Sequence, residues 1–317
     1  MGRVASNVDF AVCCRMDFGR LSDLRYVDFR LPPDHPDTAA VLQRTAALAQ
    51  PELFVGCPIW TNKAWLGSYF PAGIRDADYL HHYARQFNSL ELNTTHYRIP
   101  DAPTVRKWRD VVPPGFRFCP KLPQSISHDR ALYNADDLTL TFCRSIRELD
   151  DRLGWCFLQL PPTFGPENLS RLERYLLDFP AEVPLAVELR HPGWFSDVVA
   201  FAAVASMLEA LNKTLVLSDV AGRRDVMHMR LTTPVAFIRF NGHGLVNSDY
   251  QRADAWAERI ADWLRQGLRT VYFFVHQKDI MHTPLWTQHF LARLNSLTGL
   301  AVPAPHIIPQ PVQGSLF

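Results

Sequence analysis

Charged side chains stand directly behind apolar runs at several points of this sequence. In the stretch PLAVELRHPGWF (184–195), an aliphatic run ends in Glu188, Arg190 and His191. Burying a charge is costly unless the charge is paired or used in chemistry. This stretch therefore predicts either a structural ion pair or one edge of a functional site.

Three carboxylates, Glu91, Glu188 and Asp219, close different apolar runs. Together they could act as general acid and base or hold a divalent metal ion, and the residue types leave the choice between these open. The alternative is a set of structural salt bridges, for instance between Glu188 and Lys121. We favour the functional interpretation, because barrel enzymes keep their chemistry at the carboxyl ends of their strands.

Basic, imidazole and amide groups accompany these acids. We expect an anionic substrate, in particular a phosphate ester. The residues suited to bind it are Lys121, Arg190 and Arg239. The alternative is that these cations only neutralise the acids. The candidates for proton transfer are His128, His191 and His276. Further substrate contacts are expected from Asn93, Tyr97, Gln159 and Trp194.

Short apolar runs alternate with helical patterns after residue 50. Such alternation implies parallel strands with crossover helices, and eight units of this kind close a (β/α)8 TIM-like barrel, so the fold class is α/β. An open doubly wound sheet is the competing fold, but it usually carries a glycine-rich phosphate loop that VGCPIW (55–60) does not match. The eight predicted strands are 52–57, 88–93, 116–121, 155–160, 184–189, 214–219, 235–240 and 271–276.

Alternation within the runs predicts which side chains face the barrel interior, because residues two apart share one face of a strand. In the fifth run, Leu185 and Val187 are predicted to face the helices, and Glu188 and Arg190 to face inward. Polar residues predicted to point inward near the carboxyl ends of the other runs are Glu91, Asn93, Lys121, Gln159, Asp219, Arg239, Asn241 and His276. The sequence thus predicts a ring of site residues at one barrel mouth.

Several runs also resemble a known family. The stretches SLELNTTHYRIP (89–100), FRFCPKLPQSISH (116–128), FLQLPPTF (157–164) and AVELRHPGWF (186–195) are similar to motifs of the YecE-like family, the domain of unknown function seventy-two. The resemblance covers roughly residues 53–297 and implies a TIM-barrel-like fold, but no activity, since none is assigned to the family. The matching positions are Glu91, Asn93, Tyr97, Lys121, His128, Gln159, Glu188, Arg190, His191, Trp194, Asp219 and Arg239.

Two departures from the family pattern fall at the predicted mouth. The first strand continues as GCPIW (56–60) instead of a glycine-rich G-T-S-G-W turn. The last strand ends in His276 and Gln277 instead of paired asparagines. These changes imply a substrate that differs from that of other members, or a loss of activity.

Composition narrows the class of protein. Lys and Arg total 33 and Asp and Glu total 32, so a broad basic surface for nucleic acid is not expected. The beginning of the chain lacks the apolar core of a signal peptide, and no apolar run is long enough to span a bilayer. Six cysteines have neither zinc-site nor disulfide spacing. We therefore expect a cytoplasmic protein with reduced thiols and no membrane partner.

Three parts of the chain are predicted from these patterns: an N-terminal extension (1–50), the barrel (51–299) and a proline-rich tail (300–317). In the extension, Thr38 is expected to cap a helix. The tail is expected to be extended and mobile, because proline-rich segments do not pack into helices.

The tail ends in QGSLF, which is similar to the short Q-x-x-L-F peptide that bacterial replication and repair proteins use to dock on the DNA sliding clamp. A flexible linker with an apolar anchor is a suitable peptide ligand, and its predicted contacts are Gln313, Leu316 and Phe317. The alternative is a tail that folds back onto its own barrel.

Three functions fit these patterns. The leading hypothesis is a hydrolase-like or isomerase-like enzyme with acid–base or metal-assisted chemistry on an anionic, phosphate-containing small molecule or nucleic acid. The second is a non-catalytic adaptor recruited to the sliding clamp. The third is a carbohydrate or polyol isomerase or lyase unrelated to DNA. For the enzyme, replacing Glu188 with Gln is expected to abolish turnover and to leave the melting temperature nearly unchanged.

The tail hypothesis predicts direct binding to the sliding clamp of the same organism. We expect micromolar affinity for the full chain and loss of binding when Leu316 and Phe317 are deleted, since these residues form the apolar anchor. Surface plasmon resonance with immobilised clamp measures both. Equal binding by the two forms, or none by the full chain, contradicts a clamp-docking tail.

Overall fold

The computed structural model describes residues 19, 21–44 and 50–309. Parallel strands alternate with helices along this part of the chain, as the apolar runs predict, so the fold is α/β. The strands are β1 Glu52–Cys57, β2 Ser89–Leu92, β3 Arg117–Pro120, β4 Cys156–Gln159, β5 Leu185–Glu188, β6 Thr214–Leu215, β7 Leu217–Asp219, β8 Val235–Asn241 and β9 Thr270–His276.

Most of the helices lie between strands, whereas the first precedes β1 and the last follows β9. They are α1 Thr38–Gln43, α2 Tyr79–Tyr83, α3 Thr94–Tyr97, α4 Ala102–Val111, α5 Asp136–Ile146, α6 Leu169–Asp178, α7 Gly193–Ser196, α8 Val198–Ala210, α9 Asn247–Gln266 and α10 His282–Thr298. Local chemistry sets several ends. Asp197 accepts the backbone N–H groups of Val199 and Ala200 at the start of α8, and Gly267 ends α9 with a left-handed φ of 117°.

The strands form two sheets in which every described ladder is parallel. One sheet has the order β3-β2-β1-β9-β8-β7, and the other has the order β4-β5-β6. Between β3 and β4 the pairing is reduced to isolated bridges, one of which joins Lys121 to Phe157. The sixth predicted strand is split at Val216 into β6 and β7, which pair with different neighbours. The described ladders therefore do not join into one closed ring, in contrast to the continuous barrel that the sequence predicts.

One apolar core lies between the two sheets. Its buried residues come from both sheets and are Phe54, Cys119, Phe157, Ala186, Val216, Val235, Phe237, Tyr272 and Phe274. Two further cores separate the sheets from the helices, and Leu185 and Val187 belong to one of them. The predicted alternation of the fifth run is thus confirmed, because Ala186 and its helix-facing neighbours contact different cores.

The described part of the N-terminal extension packs against the body. Asp34 accepts hydrogen bonds from Arg259 and Trp263 of α9, and Leu42 is fully buried. Thr38 lies inside α1, and its hydroxyl donates to the carbonyl of Met229. Asp37 precedes the helix and makes no side-chain cap. The expectation that Thr38 caps this helix is therefore wrong.

The first half of the predicted tail, residues 300–309, also packs against the body. Val302 exchanges two hydrogen bonds with the side chain of Asn295, and the backbone N–H of His306 donates to Gln86. The N–H of Ile308 donates to the carbonyl of residue 68. These hydrogen bonds attach residues 300–309 to the body. The residues of the clamp-docking prediction, Gln313, Leu316 and Phe317, lie outside the described residues.

Within the described ranges, none of the helices is both long enough and apolar enough to cross a bilayer.

The close approach of β1 and β2 allows a test of the packing. A Cβ on Gly56 would lie 2.0 Å from the backbone oxygen of Ser89, whereas a Cβ on Gly115 meets nothing within 4 Å. We expect Gly56→Ala to lower the free energy of unfolding by about 3 kcal/mol, because the backbone of β2 must shift. Urea denaturation measures this, and Gly115→Ala is the matched control. Equal stability of the two variants contradicts this close approach of Gly56 to Ser89.

Candidate active site at the carboxyl ends of the strands

Arg239 of β8 is the centre of a buried cluster of charges. Its Nε and Nη2 atoms donate to the two carboxylate oxygens of Glu91 at 2.9 Å each. Its Nη1 atom donates to Glu188 Oε2 at 2.7 Å. Both carboxylates are buried, and the guanidinium lies over the ring of Phe157. One arginine thus joins the ends of β2 and β5, which belong to different sheets.

Side chains from the neighbouring strand ends complete the cluster. Lys121 Nζ donates to Gln159 Oε1 at 2.8 Å, and Gln159 Nε2 donates to Glu188 Oε2 at 2.7 Å. Arg190 Nε donates to Glu188 Oε1 at 3.0 Å. The amide of Asn93 donates to Glu91 at 2.9 Å. The structure therefore brings together most of the inward-facing polar residues predicted from the sequence.

The two carboxylates of the cluster are ionised at neutral pH. Burial opposes ionisation of Glu188, but the guanidinium groups of Arg190 and Arg239 outweigh it and lower the pKa of this carboxyl group to about 2. Burial likewise raises the pKa of Glu91, but Arg239 and His276 lower it. The resulting pKa of Glu91 lies well below its usual value. A group with such a low pKa is a poor proton donor near pH 7.

Lys121 has the opposite property. Burial, with Arg239 as the next largest cause, lowers the pKa of its ammonium group to about 7, although Glu188 opposes this shift. The side chain is 9% exposed, so the amine lies at the edge of the buried cluster. Lys121 is therefore a group that can both give and take a proton near neutral pH.

His276 links the cluster to an adjoining cavity. Its Nε2 atom lies 3.0 Å from Glu91 Oε2, and because the ionised carboxylate can only accept, this nitrogen carries the proton. The same histidine lines a cavity of about 590 Å³ between the ends of β7, β8 and β9 and the N-terminal segment. A carboxylate that orients an imidazole is a recurrent arrangement in acid–base catalysis.

Two histidines lie beside Lys121, one of which sequence reasoning missed. The ring of His128 is 5.4 Å from that of His96, whose Nδ1 atom contacts the carbonyl oxygen of Leu122 at 2.8 Å. Burial and the charge of Lys121 lower the pKa of His96 to about 4, and the same causes lower the pKa of His128. His96 stands in the quoted run 89–100, but on helix α3, where strand alternation gives no signal.

Asp219 does not belong to the cluster, and its predicted inward direction is wrong. Its carboxylate accepts hydrogen bonds from Arg224, from Arg252 and from Trp256 Nε1, and the last two residues are on α9. Strict alternation places it with the apolar residues that face the helices, Leu215 and Leu217. In its place Ser218 points inward, and its hydroxyl donates to Glu188 at 3.3 Å.

Three other predicted site residues have other surroundings. His191 Nδ1 accepts the backbone N–H of Gly193 at 3.0 Å. Trp194 is fully buried, and its indole N–H donates to the carbonyl of Phe164, so it packs the core and offers no face for stacking on a substrate. Tyr97 is 80% exposed beside His96.

The described cysteines are buried and free. Burial raises the pKa of the Cys57 thiol to about 12 and that of Cys119 well above its usual value. Both thiols therefore stay protonated, and the two residues pack as small core side chains. In the described ranges, no group of three or more His, Cys, Asp or Glu side chains is arranged to hold a metal ion. The carboxylates that could have done so are bound to Arg239.

Parallel strands with charged side chains gathered at their carboxyl ends define an α/β protein of the type that includes barrel enzymes. Residues 54–309 match the model of the family described as Protein of unknown function DUF72, and the chain belongs to this family. The resemblance seen in the sequence motifs is thus confirmed.

Two relatives are similar over different lengths. The UPF0759 protein YecE of Escherichia coli (strain K12) is 34% identical over 288 residues, which cover 84% of this chain and all of that protein. The UPF0759 protein YunF of Bacillus subtilis (strain 168) is 26% identical over 157 residues, 45% of this chain and 52% of its own length. A crystal structure of a DUF72 family protein from Enterococcus faecalis v583 matches with a TM-score of 0.62 and 19% identity, over 82% of this chain and all of that one. This structural match supports the α/β fold.

The cluster changes the expected effect of replacing Glu188. Its buried carboxylate accepts hydrogen bonds from Arg239, Arg190 and Gln159. We therefore no longer expect Glu188→Gln to leave the melting temperature nearly unchanged. We expect Glu188→Gln to lower the free energy of unfolding by about 3 kcal/mol, because a buried guanidinium loses its counter-ion. Urea denaturation measures the change, with Glu173→Gln on the exposed face of α6 as the control. A loss no larger than that of the control contradicts a structural role.

Proposed function

We propose that this protein is an enzyme that performs acid–base chemistry on a small anionic molecule at the mouth of a (β/α)8 barrel. The closed barrel is part of this proposal, because the observed strands form two separate sheets. All described ladders are parallel, eight predicted runs became strands, and both sheets contribute to one interior core. Polar groups at the carboxyl ends of such strands are the usual place for catalysis.

The buried environment of the Lys121 amine is the observation that carries the proposal. A buried amine with a pKa of about 7 beside two arginines has no advantage for stability, because desolvation and like charges both oppose it. Catalytic groups gain from a pKa near the working pH, and buried lysines are a frequent source of it. We therefore assign proton transfer to Lys121 and to His276, which the ionised Glu91 orients.

Glu91 and Glu188 take a different role in this proposal from the one the sequence indicates. Each nitrogen of Arg239 already donates to one of these carboxylates, and both carboxylates stay ionised. They position Arg239, Lys121 and His276 and do not transfer protons themselves.

The size of the cavity supports a small molecule in preference to a nucleic acid. Its volume of about 590 Å³ lies in the range of sites for metabolites and cofactors, roughly 300–1,000 Å³. Binding of long duplex DNA depends mainly on phosphate contacts from a basic surface. The net charge of this chain is only +1, which does not favour such a surface. Docking on the sliding clamp through Gln313, Leu316 and Phe317 stays a separate proposal that places the enzyme near DNA. A non-catalytic adaptor is the alternative.

The titration of Lys121 tests the proposal without knowledge of the substrate. We expect NMR of ¹³Cε-labelled lysine side chains to show one amine that titrates near pH 7 and is absent from Lys121→Gln. Between this pKa and the ordinary lysine pKa of 10.5, the unfolded chain binds the extra proton, so Lys121 makes stability rise with pH in this range. Lys107→Gln, on the exposed face of α4, is the matched control. A Lys121 amine that titrates near 10.5 contradicts the assignment.

Turnover is tested by incubating the protein with a panel of phosphorylated and carboxylated metabolites and following each by NMR. We expect one compound class to be converted, and Lys121→Gln to lower the rate by about 10²- to 10⁴-fold, the usual contribution of a general acid or base. Lys107→Gln should keep the wild-type rate. Conversion that is unaffected by Lys121→Gln argues against acid–base catalysis by this residue, and no conversion of any compound favours the adaptor.

A further inference from the structure

The cavity beside His276 has an unusual set of polar residues. It lies between the loops that follow β8 and β9, and the described residues of the N-terminal segment, Gly19, Leu21 and Ser22, form part of its wall. Its polar lining from the two loops consists of Asn241, His243, His276, Gln277 and Lys278. Among the described residues that line this cavity there are one lysine and two histidines, but no carboxylate. The lining therefore favours a negatively charged occupant.

Gln277 is the second observation that points to a ligand. Its side chain is only 8% exposed, and its Oε1 atom accepts the backbone N–H of Gly244 at 3.1 Å. This bond fixes the orientation of the amide, so Nε2 is the donor, and Nε2 has no hydrogen-bond partner. Buried donors without an acceptor are rare, and each calls for an explanation such as a bound group.

A second residue of the lining, His243 in the loop after β8, also has a buried polar atom without a hydrogen-bond partner, Nδ1. The backbone N–H of His243 donates to Asp249 Oδ2 at 2.8 Å, whereas its Nδ1 atom lies 3.8 Å from Asp249 Oδ1, beyond hydrogen-bond distance. Gln277 and His243 thus each place an unsatisfied polar atom in the wall of this cavity.

The backbone is adapted to the position of Gln277. A Cβ on Gly242 would lie 2.3 Å from Gln277 Nε2, so only glycine leaves room for the amide where it is. The backbone N–H of Gly242 donates to the carbonyl of His276, which ties the two loops together at 2.7 Å. The amide is thus held in place from both loops and is not a freely rotating surface group.

We propose that this cavity binds the phosphate or carboxylate group of the substrate, with Gln277 Nε2 and the Lys278 ammonium as the donors. This inference rests on the proposed function and deepens it, because it separates the anion-binding groups from the proton-transfer groups. Arg239, which the sequence assigns to the anion, is occupied by Glu91 and Glu188. His276 contacts both the cavity and Glu91, so a substrate held here lies next to a proton-transfer group.

A general property of barrels agrees with this position. β8 and β9 correspond to the seventh and eighth of the predicted runs, and the loops after the last two strands of (β/α)8 barrels frequently bind phosphate. The ammonium group of Lys278 is exposed and supplies a point charge at the cavity entrance.

The test is isothermal titration of the full chain with inorganic phosphate and, in a second arm, with citrate. We expect Lys278→Met and Gln277→Glu each to weaken binding at least tenfold. Gln277→Glu keeps the acceptor for the N–H of Gly244 but replaces the donor with a negative charge. Lys107→Met is the matched control and should bind as the wild type does. Stronger binding of phosphate or of citrate identifies which anion the cavity prefers.

Lys121→Gln distinguishes this inference from the proposed function. If anions bind in the cavity, this variant keeps the wild-type affinity. If Lys121→Gln loses binding and Lys278→Met keeps it, the anion lies in the charged cluster and the cavity assignment is overturned, while acid–base catalysis by Lys121 stands. If the wild type binds neither phosphate nor citrate, the cavity assignment is also overturned, and the lysine titration still tests the enzyme.

Discussion

The buried bridge from Arg239 to Glu91 and Glu188 is the interaction on which the arrangement of the site depends. The hydrogen-bonded ladders do not run continuously through both sheets, and the ends of β2 and β5 belong to different ones. A bidentate guanidinium on one side and a single bond on the other fix the distance between these ends. Removing one partner of such a bridge leaves an uncompensated charge, so the three residues act as a unit.

This bridge also explains the division of roles among the titratable groups. Because the cations of the cluster hold both carboxylates ionised, the carboxylates cannot exchange protons near pH 7. Burial is the largest cause of the lowered pKa of Lys121, and the same cations add to it. The buried cluster thus keeps two acids charged and gives one amine a pKa of about 7. Residue type alone would assign the proton transfer to the glutamates.

The sequence predicts the parts of the fold that depend on strict alternation. All eight apolar runs form strands, and the inward direction of Glu91, Gln159, Glu188 and Arg239 follows from the period of two. Asp219 faces α9 because it shares the parity of Leu215 and Leu217, so the period of two itself contradicts its predicted inward direction. Other predictions fail where a residue lies on a helix or where its partner is distant in the chain. His96 lies on a short helix, and Trp194 finds its acceptor thirty residues away in the chain, at Phe164.

The wall of the cavity has a consequence for comparison within the family. The family model begins at residue 54, whereas Gly19, Leu21 and Ser22 line the cavity from a segment well before it. The guanidinium groups of Arg224 and Arg252 contact the ring of Phe29 in that segment and attach it to the body. If the cavity binds the substrate, as proposed, its preference depends on Gly19, Leu21 and Ser22 as well as on the region that the family model matches.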